Sequence, residues 1–249
     1  MLQRTQAVAV RVLRQLINDK RFLVISLVIP VLIIYALKIV FDSLESPSPF
    51  FNINQFVLPL GAFIVHFITY ILCSIVLVRE RVSQTLARTF INGYGRFDLV
   101  IGYIAAYTLL ATLQTLLVLG SLNILFKLDY GWGKSLALYL VIWLLAISSI
   151  ALGILISNFA RNEGQVLPFI PLVTLPSILF SGVLIPIEKL PIWVKPLELL
   201  TPLYYANGII QSLAKPDTTL FDSPAPVLGL LIYGLAILSI ATLTLRELD

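Results

Sequence analysis

The chain has 249 residues, of which 59% are hydrophobic and 12% are charged, whereas soluble domains carry about 25% charged residues. This apolar content exceeds what one water-soluble core needs, and it indicates a protein that faces a bilayer. The single cysteine, Cys73, excludes a disulfide framework within one chain. The net charge of +4 comes from side chains that separate apolar runs rather than form a patch, which argues against nucleic-acid binding.

Residues 1–21 precede the first apolar run and carry five basic residues. On a helical wheel Arg4, Arg11 and Arg14 share one face, and apolar side chains, including Leu16 and Ile17, share the opposite face. The pattern predicts an amphipathic helix that lies in the inner membrane interface. A solvated leader before the first span is the alternative. A cleaved signal peptide is not expected, because the basic segment is too long and too amphipathic for a signal-peptide n-region and no small-residue cleavage pattern follows.

Six later stretches are long and nearly free of charged residues, as a helix that crosses about 30 Å of hydrocarbon requires. They predict an all-α membrane protein with a single transmembrane domain and six transmembrane helices, over residues 22–41, 56–78, 99–126, 135–157, 165–184 and 225–245. Residues 185–214 are also apolar, but four prolines and four charged residues interrupt them. We expect a re-entrant helical hairpin on the outer side there, before the last span.

The basic residues indicate how the spans are oriented. With a cytoplasmic N-terminus, the inner segments hold 11 of the 17 basic residues, namely all ten arginines, among them Arg246, and Lys20, and the outer segments hold six lysines. The positive-inside rule favours this arrangement. We therefore expect a multi-pass protein of the inner (plasma) membrane with both termini in the cytoplasm.

Two groups of polar residues resemble chemical motifs but do not complete them. Gly133-Lys134-Ser135 ends like a phosphate-binding loop, yet Leu128 stands where that motif requires glycine. His66, Tyr70 and Cys73 share one face of the second span, which is too few ligands for a metal site. We interpret them as a semi-polar stripe that packs against other helices, with a contribution to a substrate path as the alternative. No catalytic or metal-binding residue is predicted.

Residues 79–98 form a charged cytoplasmic segment between the second and third spans. Its first part, Arg79 to Arg88, is predicted to form a short helix of mixed charge, and Asn92-Gly93 is predicted to turn the chain back into the membrane. Such a helix suits docking to a soluble partner. An ordinary solvated loop is the alternative.

These features together resemble the membrane subunit, or permease, of ABC transporters of the type 2 exporter class (ABC-2). The similarity covers essentially the whole chain, and its most specific part is C-terminal: Pro176, Ser181-Gly182, Pro186, Leu190-Pro191, Trp193, Pro196, Pro202-Leu203-Tyr204-Tyr205 and Gln211. Arg79-Glu80-Arg81, followed by Gln84-Thr85-Leu86, resembles the charged stretch of the family that ends in Gly-Thr-Leu. Gln84 departs from that pattern, since the family often has glycine there.

The resemblance implies a half-transporter that pairs with a second permease copy or a paralogue. Separately encoded ABC ATPase subunits would bind ATP and Mg, so no cofactor is expected in this chain, and it is not expected to be an enzyme by itself. The residues expected to contact the ATPase are Arg79, Glu80, Arg81, Gln84, Thr85, Leu86 and Arg88, with the N-terminal helix as a second contact. The alternative role for the arginines is to hold a helix end at the membrane boundary.

The resemblance also implies a path for the substrate. Five polar residues of the second and fifth spans would line it: Thr69, Tyr70, Thr174, Ser177 and Ser181. Trp193, Tyr204 and Tyr205 would form an outer gate. Hydroxyl groups that bond only to neighbouring helices, and aromatic rings that anchor the interface, are the respective alternatives.

The expected function is ATP-driven export of a hydrophobic or amphipathic substrate, such as a lipid, a lipid-linked molecule or a drug, in contact with membrane lipids. A membrane assembly or regulatory protein that does not transport is the first alternative, because fold does not fix function. An intramembrane lipid-modifying enzyme is the second, although it would need clustered acids, histidines or metal ligands.

Overall fold

The computed structural model describes residues 2–43, 53–128, 130–215 and 218–245. Within these segments the regular structure is entirely helical, which confirms the predicted all-α class. The helices are α1 (Leu2–Asn18), α2 (Lys20–Ser43), α3 (Ile53–Val82), α4 (Thr85–Ile91), α5 (Arg96–Phe126), α6 (Trp132–Ser157), α7 (Glu163–Val166), α8 (Phe169–Phe180), α9 (Lys195–Glu198), α10 (Pro202–Leu213) and α11 (Pro224–Thr244).

Six segments are long and apolar enough to cross a membrane, which agrees with the six predicted spans. They are Lys20–Ser43, Phe56–Val82, Arg96–Phe126, Trp132–Ser157, Glu163–Phe180 and Pro224–Thr244. Most of them extend a few residues beyond the predicted bounds, because charged residues at their ends continue the helices.

α3 and α6 form the centre of the bundle, and α5, α10 and α11 pack around them. Leu58 and Val65 of α3 are fully buried, as are Leu145 and Ile150 of α6. α2 packs on α5 and α3, and α1 lies along α5. The "coupling end" of the bundle holds α1, α4 and the last turns of α3, α6 and α11. The "far end" holds the start of α6 and the end of α10, where the Lys134 Nζ donates to the Lys215 carbonyl.

The fifth span differs from the prediction of one helix over residues 165–184. It consists of α7 and α8, separated by a tight turn at Leu167 and Pro168 with two hydrogen bonds of the i to i−3 type. The proline has no N–H for a regular helical bond there. α8 ends at Phe180, because Gly182 adopts a left-handed conformation with φ of 79°.

The segment after α8 contains little regular structure until α10. A 3-10 turn forms at Ile187–Lys189 and one helical turn at Lys195–Glu198, and then α10 runs for twelve residues. The prolines at 186, 191, 196 and 202 stand at or near the starts and breaks of these elements. That this segment dips into the membrane as a re-entrant hairpin stays a prediction.

α1 is shorter than the predicted interfacial helix over residues 1–21, since α2 already starts at Lys20. Val8, Val12 and Leu16 form its buried stripe. Ile17, which the helical wheel placed on the apolar face, is exposed. Met1 and Arg246, used in the sequence predictions, lie outside the described residues.

Candidate functional site

The charged segment at the coupling end folds differently from the predicted helix over Arg79 to Arg88. Arg79, Glu80 and Arg81 continue α3, which ends at Val82. The separate short helix α4 starts at Thr85, after Gln84 in a left-handed conformation with φ of 57°. Glycine adopts this conformation without steric cost. The departure of Gln84 from the family's glycine therefore falls on a residue where the backbone itself favours glycine.

Glu80 ties the N-terminal helix to the centre of the bundle. It is only 2% exposed, and its Oε2 lies 3.1 Å from Nη2 of Arg11. The same oxygen accepts a hydrogen bond from the Tyr103 hydroxyl, which in turn accepts one from Arg11 at 3.1 Å. This cluster of Arg11, Glu80 and Tyr103, here called the clasp, joins α1, α3 and α5. The helical wheel had placed Arg11 on the polar outer face, and the clasp explains why it turns inward.

Further contacts hold α1 along α5. The Thr5 hydroxyl lies 3.2 Å from Oδ1 of Asp98, whose other oxygen caps the start of α5 by accepting from the Gly95 N–H. Arg4 donates to the Gly93 carbonyl at 2.6 Å. A Cβ atom at Gly102 would stand 2.6 Å from Cγ1 of Val8, so only glycine permits this close approach. Arg14, the third arginine of the predicted interfacial helix, is exposed.

Arg81 caps the end of α6 instead of facing solvent. Its Nη1 donates to the carbonyls of Ser157 at 2.6 Å and Ala160 at 3.0 Å, and its Nη2 lies 3.4 Å from Oδ1 of Asn158. Asn158 also donates to the Ala241 carbonyl of α11 at 2.9 Å. The last carbonyls of a helix lack partners within the helix, and a cation suits the negative end of its dipole. Arg81 thus joins the ends of α3 and α6.

We expect Arg81→Ala to lower the free energy of unfolding by about 1–3 kcal/mol, because buried carbonyls at the end of α6 lose a charged donor. Thermal unfolding of the purified chain in detergent measures this effect. Arg88→Ala is the matched control, since Arg88 is exposed on α4, and it should leave the unfolding temperature unchanged. Equal effects of the two variants would contradict the capping role.

Arg79 forms a more exposed ion-pair network. Its guanidinium lies 3.1 Å from Oε1 of Glu163 in α7 and 3.6 Å from Oδ2 of Asp19 before α2. About half of each of the Arg79 and Glu163 side chains remains exposed. Surface pairs of this kind contribute little to stability, so Arg79 chiefly fixes the relative positions of three helix ends.

The residues predicted to contact the ATPase therefore separate into two groups. Four of them, Arg79, Glu80, Arg81 and Leu86, make contacts within the chain, and Leu86 is 4% exposed. Gln84 and Arg88 are exposed, whereas Thr85 is half-buried. Arg88 and Ile91 stand at i and i+3 of α4 and so share one side of the helix, and exposed Gln84 directly precedes α4. These three residues are here called the α4 face. Ile91 is 77% exposed.

The predicted path residues are all buried between helices of this one chain. His66 connects two neighbouring helices, with its ring nitrogens 2.7 Å from Oγ of Ser149 and 3.2 Å from Oγ of Ser177. Tyr70 donates to the Phe169 carbonyl at 3.0 Å. The structure thus places His66 and Tyr70 in contact with α6 and α8, as expected for a stripe that packs against other helices.

The hydroxyls of Thr174, Ser177 and Ser181 each donate to a carbonyl of their own helix, three or four residues earlier. Thr69 donates to Oε1 of Gln114 in α5. Ser177 also lines a cavity of about 280 Å³ between α6, α8, α9, α10 and α11, whose walls are apolar except for a few hydroxyls, among them Tyr233. Of the predicted path residues, Ser177 is the one that lines this cavity.

The structure brings two of the three predicted gate residues together. The rings of Tyr204 and Tyr205 meet edge to face, 5.1 Å apart, and Tyr205 donates to the Leu199 carbonyl. Burial, followed by the negative charge of Glu198, raises the pKa of both tyrosines, so they stay neutral donors at physiological pH. Trp193 is 76% exposed in the turn before α9.

Sequence reasoning missed the partners that complete the coupling end, chiefly Tyr103, Asp98, Gly102 and Asn158. Asp98 carried a local signal, because an acidic residue three positions after Gly95 is typical of a helix start. Tyr103 and Gly102 carried none, since their partners in α1 lie about 90 residues away.

Comparison with known proteins identifies the family. The sequence model of the ABC-2 type transporter family matches residues 3–214. The "Probable multidrug ABC transporter permease YbhR" of Escherichia coli, from strain K12 and from O157:H7, is 25% identical over 174 residues in each case. The alignment covers 70% of this chain and 47% of the relative, so the matched region is about half the length of those permeases. The match spans most of the chain, including the coupling end and α10, and the chain belongs to the ABC-2 type transporter family as a multi-pass membrane permease.

Proposed function

We propose that the chain is the membrane subunit of an ATP-driven exporter and that a separate ABC ATPase docks on its α4 face. The observation that carries this proposal is the coupling end itself. There the α4 face, formed by exposed Gln84, Arg88 and Ile91, is attached to a framework that includes a buried ion pair and the helix cap of Arg81. Phe97, at the start of α5, adds a second exposed apolar side chain close to α4 in the chain.

A docked ATPase needs a mechanical connection to the spans, and the clasp offers one. α4 follows α3 after two residues, and Glu80 of α3 holds both α1 and α5. Force on α4 would therefore reach three helices at once. Closure of the ATPase pair could then change the packing of the two permease halves, a two-state rearrangement of packed elements. In this arrangement α4 and α1 lie on the cytoplasmic side of the inner membrane.

The proposed substrate is hydrophobic or amphipathic. Its path would run beside Ser177 and the 280 Å³ cavity, where apolar walls carry only isolated hydroxyls. Acidic residues that could couple ions are absent from this lining. Leu172 of α8 lines the cavity and is exposed, as are Leu175 and Leu179 of the same helix, and a second copy or paralogue of the permease would cover them. The tyrosine pair at Tyr204 and Tyr205, at the start of α10 and beside Tyr233 of α11, would close the path on its outer side.

Affinity purification of the tagged chain from its native membrane tests the docking surface. We expect an ABC ATPase to co-purify, with vanadate-sensitive ATP hydrolysis. The double variant Arg88→Glu, Ile91→Asp should reduce its recovery at least about tenfold, because it places acidic groups on an interface whose core residues are desolvated.

Phe221→Asp is the matched control, since Phe221 is an equally exposed apolar residue at the far end. It should leave ATPase recovery unchanged. A stable native complex that contains no ABC ATPase would contradict the exporter and favour a membrane assembly or regulatory protein.

A further inference from the structure

A second cavity lies at the far end, on a different side of the bundle from the proposed path. It has a volume of about 440 Å³ and lies between the last turns of α5, the start of α6 and the start of α3. Leu58, Leu128 and Leu138 line it and are buried, whereas Leu116 and Leu136 line it and are more than half exposed. The cavity is therefore open on the outer surface of the helices. We call it the α5–α6 cavity.

The position of this cavity along α5 places it in one leaflet of the bilayer. α5 has 31 residues and is about 46 Å long, which exceeds the roughly 30 Å of hydrocarbon. The lining residues from Leu116 onward occupy the last third of this helix. Trp132, at the start of α6, is 94% exposed and lines the same cavity. Tryptophan is enriched where hydrocarbon meets headgroups, so the cavity extends from that boundary toward the membrane centre.

The rim of the cavity carries an amide and two phenol hydroxyl groups. The Asn123 amide and the hydroxyls of Tyr130 and Tyr139 line the cavity, and they form no hydrogen bond with the described residues. Amide and hydroxyl donors at the wet end of an apolar cavity match ester and glycerol oxygens, which are acceptors.

We propose that the α5–α6 cavity binds a phospholipid from the bilayer, with an acyl chain against the leucines and its ester oxygens at Asn123 and Tyr130. The residues that line the cavity include no charged side chain, so the site recognises the glycerol region and the chain rather than the charge of the headgroup. Its volume lies within the range of small-molecule sites, which are mostly apolar with a few placed polar groups.

Gly120 provides a direct test, because it lines the cavity and a Cβ atom there would meet no heavy atom within 4 Å. The Cβ of Gly120→Phe therefore meets no neighbour and its ring enters the cavity, and phenylalanine is a better helix former than glycine. Gly120→Ala leaves most of the cavity empty. Leu109→Phe, on an exposed part of α5 outside the cavity, is the matched control for an added ring in contact with lipid.

The experiment is native mass spectrometry of the full chain, purified in mild detergent and supplied with phosphatidylethanolamine and phosphatidylglycerol. We expect the wild-type chain to retain a phospholipid through repeated detergent washes, and Gly120→Phe to lose it. Gly120→Ala and Leu109→Phe should retain it. Asn123→Leu should weaken retention about two- to tenfold through the lost hydrogen bonds. Both phospholipids should be retained equally.

Equal retention by the wild-type chain and Gly120→Phe would overturn the site. A preference for the anionic lipid that survives Gly120→Phe would place the bound lipid at the lysines of the far end instead. Release of a molecule other than a phospholipid by Gly120→Phe would reassign the cavity to a transported substrate. The proposal does not depend on the ATPase, since the variants at Gly120 are far from the α4 face and should leave ATPase recovery unchanged.

Discussion

Glu80→Ala is expected to detach the N-terminal helix from the bundle. The substitution removes the acceptor shared by Arg11 and Tyr103 and leaves both donors without it at a site that is almost fully buried. Breaking a buried ion pair costs about 3–5 kcal/mol, and partial exposure of Arg11 reduces this to about 2–3 kcal/mol. Limited trypsin digestion measures the effect, because Arg4, Arg11 and Arg14 are cleavage sites within α1. Cleavage there should accelerate at least about tenfold.

Glu163→Ala is the matched control for this prediction. Glu163 also pairs with an arginine at 3.1 Å, but half of its side chain is exposed, so its loss should cost about 0–1 kcal/mol. Glu80→Gln, which keeps an acceptor, should fall between the two. Unchanged digestion of α1 in Glu80→Ala would show that the contacts with Asp98 and Gly102 hold the helix without the clasp.

The clasp also leads to a prediction that distinguishes docking of the ATPase from coupling of ATP hydrolysis to transport. Within the proposed exporter, Glu80→Ala leaves the α4 face intact, so the ATPase should still co-purify. ATP hydrolysis should then proceed without its normal effect on transport, because α1 and α5 no longer follow α3. The double variant at Arg88 and Ile91 should instead lose the ATPase itself.

The six spans could be predicted because a membrane imposes a simple rule on sequence. Each helix must remain apolar for about 20 residues, and this local property is visible in runs such as residues 99–126. The same rule explains why the predicted spans end too early, because it stops each helix at the first charged residues. Arg79 to Arg81 resembled a separate solvent-exposed helix because they are charged, yet they continue α3, since each finds a partner in another element.

The sequence could not show which of the predicted ATPase-contact residues make contacts within the chain and which are exposed on its surface. The pairs that decide it, such as Arg11 with Glu80 and Arg81 with Ser157, join residues 69 and 76 positions apart. The local sequence does not distinguish a buried arginine that caps a helix from an exposed arginine that is available to bind another protein. The burial of the predicted path residues could not be predicted either, because it also results from tertiary packing. Their polarity was visible in the sequence, but their partners in other helices, Gln114 of α5 for Thr69 and Phe169 of α8 for Tyr70, were not.

Gly153→Leu is expected to have the largest effect on folding of any substitution considered. Gly153 lies where α6 crosses α3, and a Cβ atom there would stand 2.8 Å from Cβ of Cys73 and 2.9 Å from the Tyr70 carbonyl. The obstacle includes backbone, which cannot rotate away as a flexible side chain can. Small residues permit such close crossings in membrane bundles, and overpacking a tight core costs about 1–3 kcal/mol or more. We expect Gly153→Ala to lower the unfolding temperature and Gly153→Leu to abolish recovery of folded chain.

The matched control is Gly120→Ala in α5, which adds the same methyl group in open space and should be neutral or slightly stabilising. A folded Gly153→Leu chain with an unchanged unfolding temperature would mean that α3 and α6 can separate without cost. The expected result has a functional side, because the contact between His66 and Ser149 joins the same two helices. Moving α6 away from α3 would break it and would displace the ring that also contacts Ser177 of α8, so the proposed path depends on a crossing that only glycine at position 153 permits.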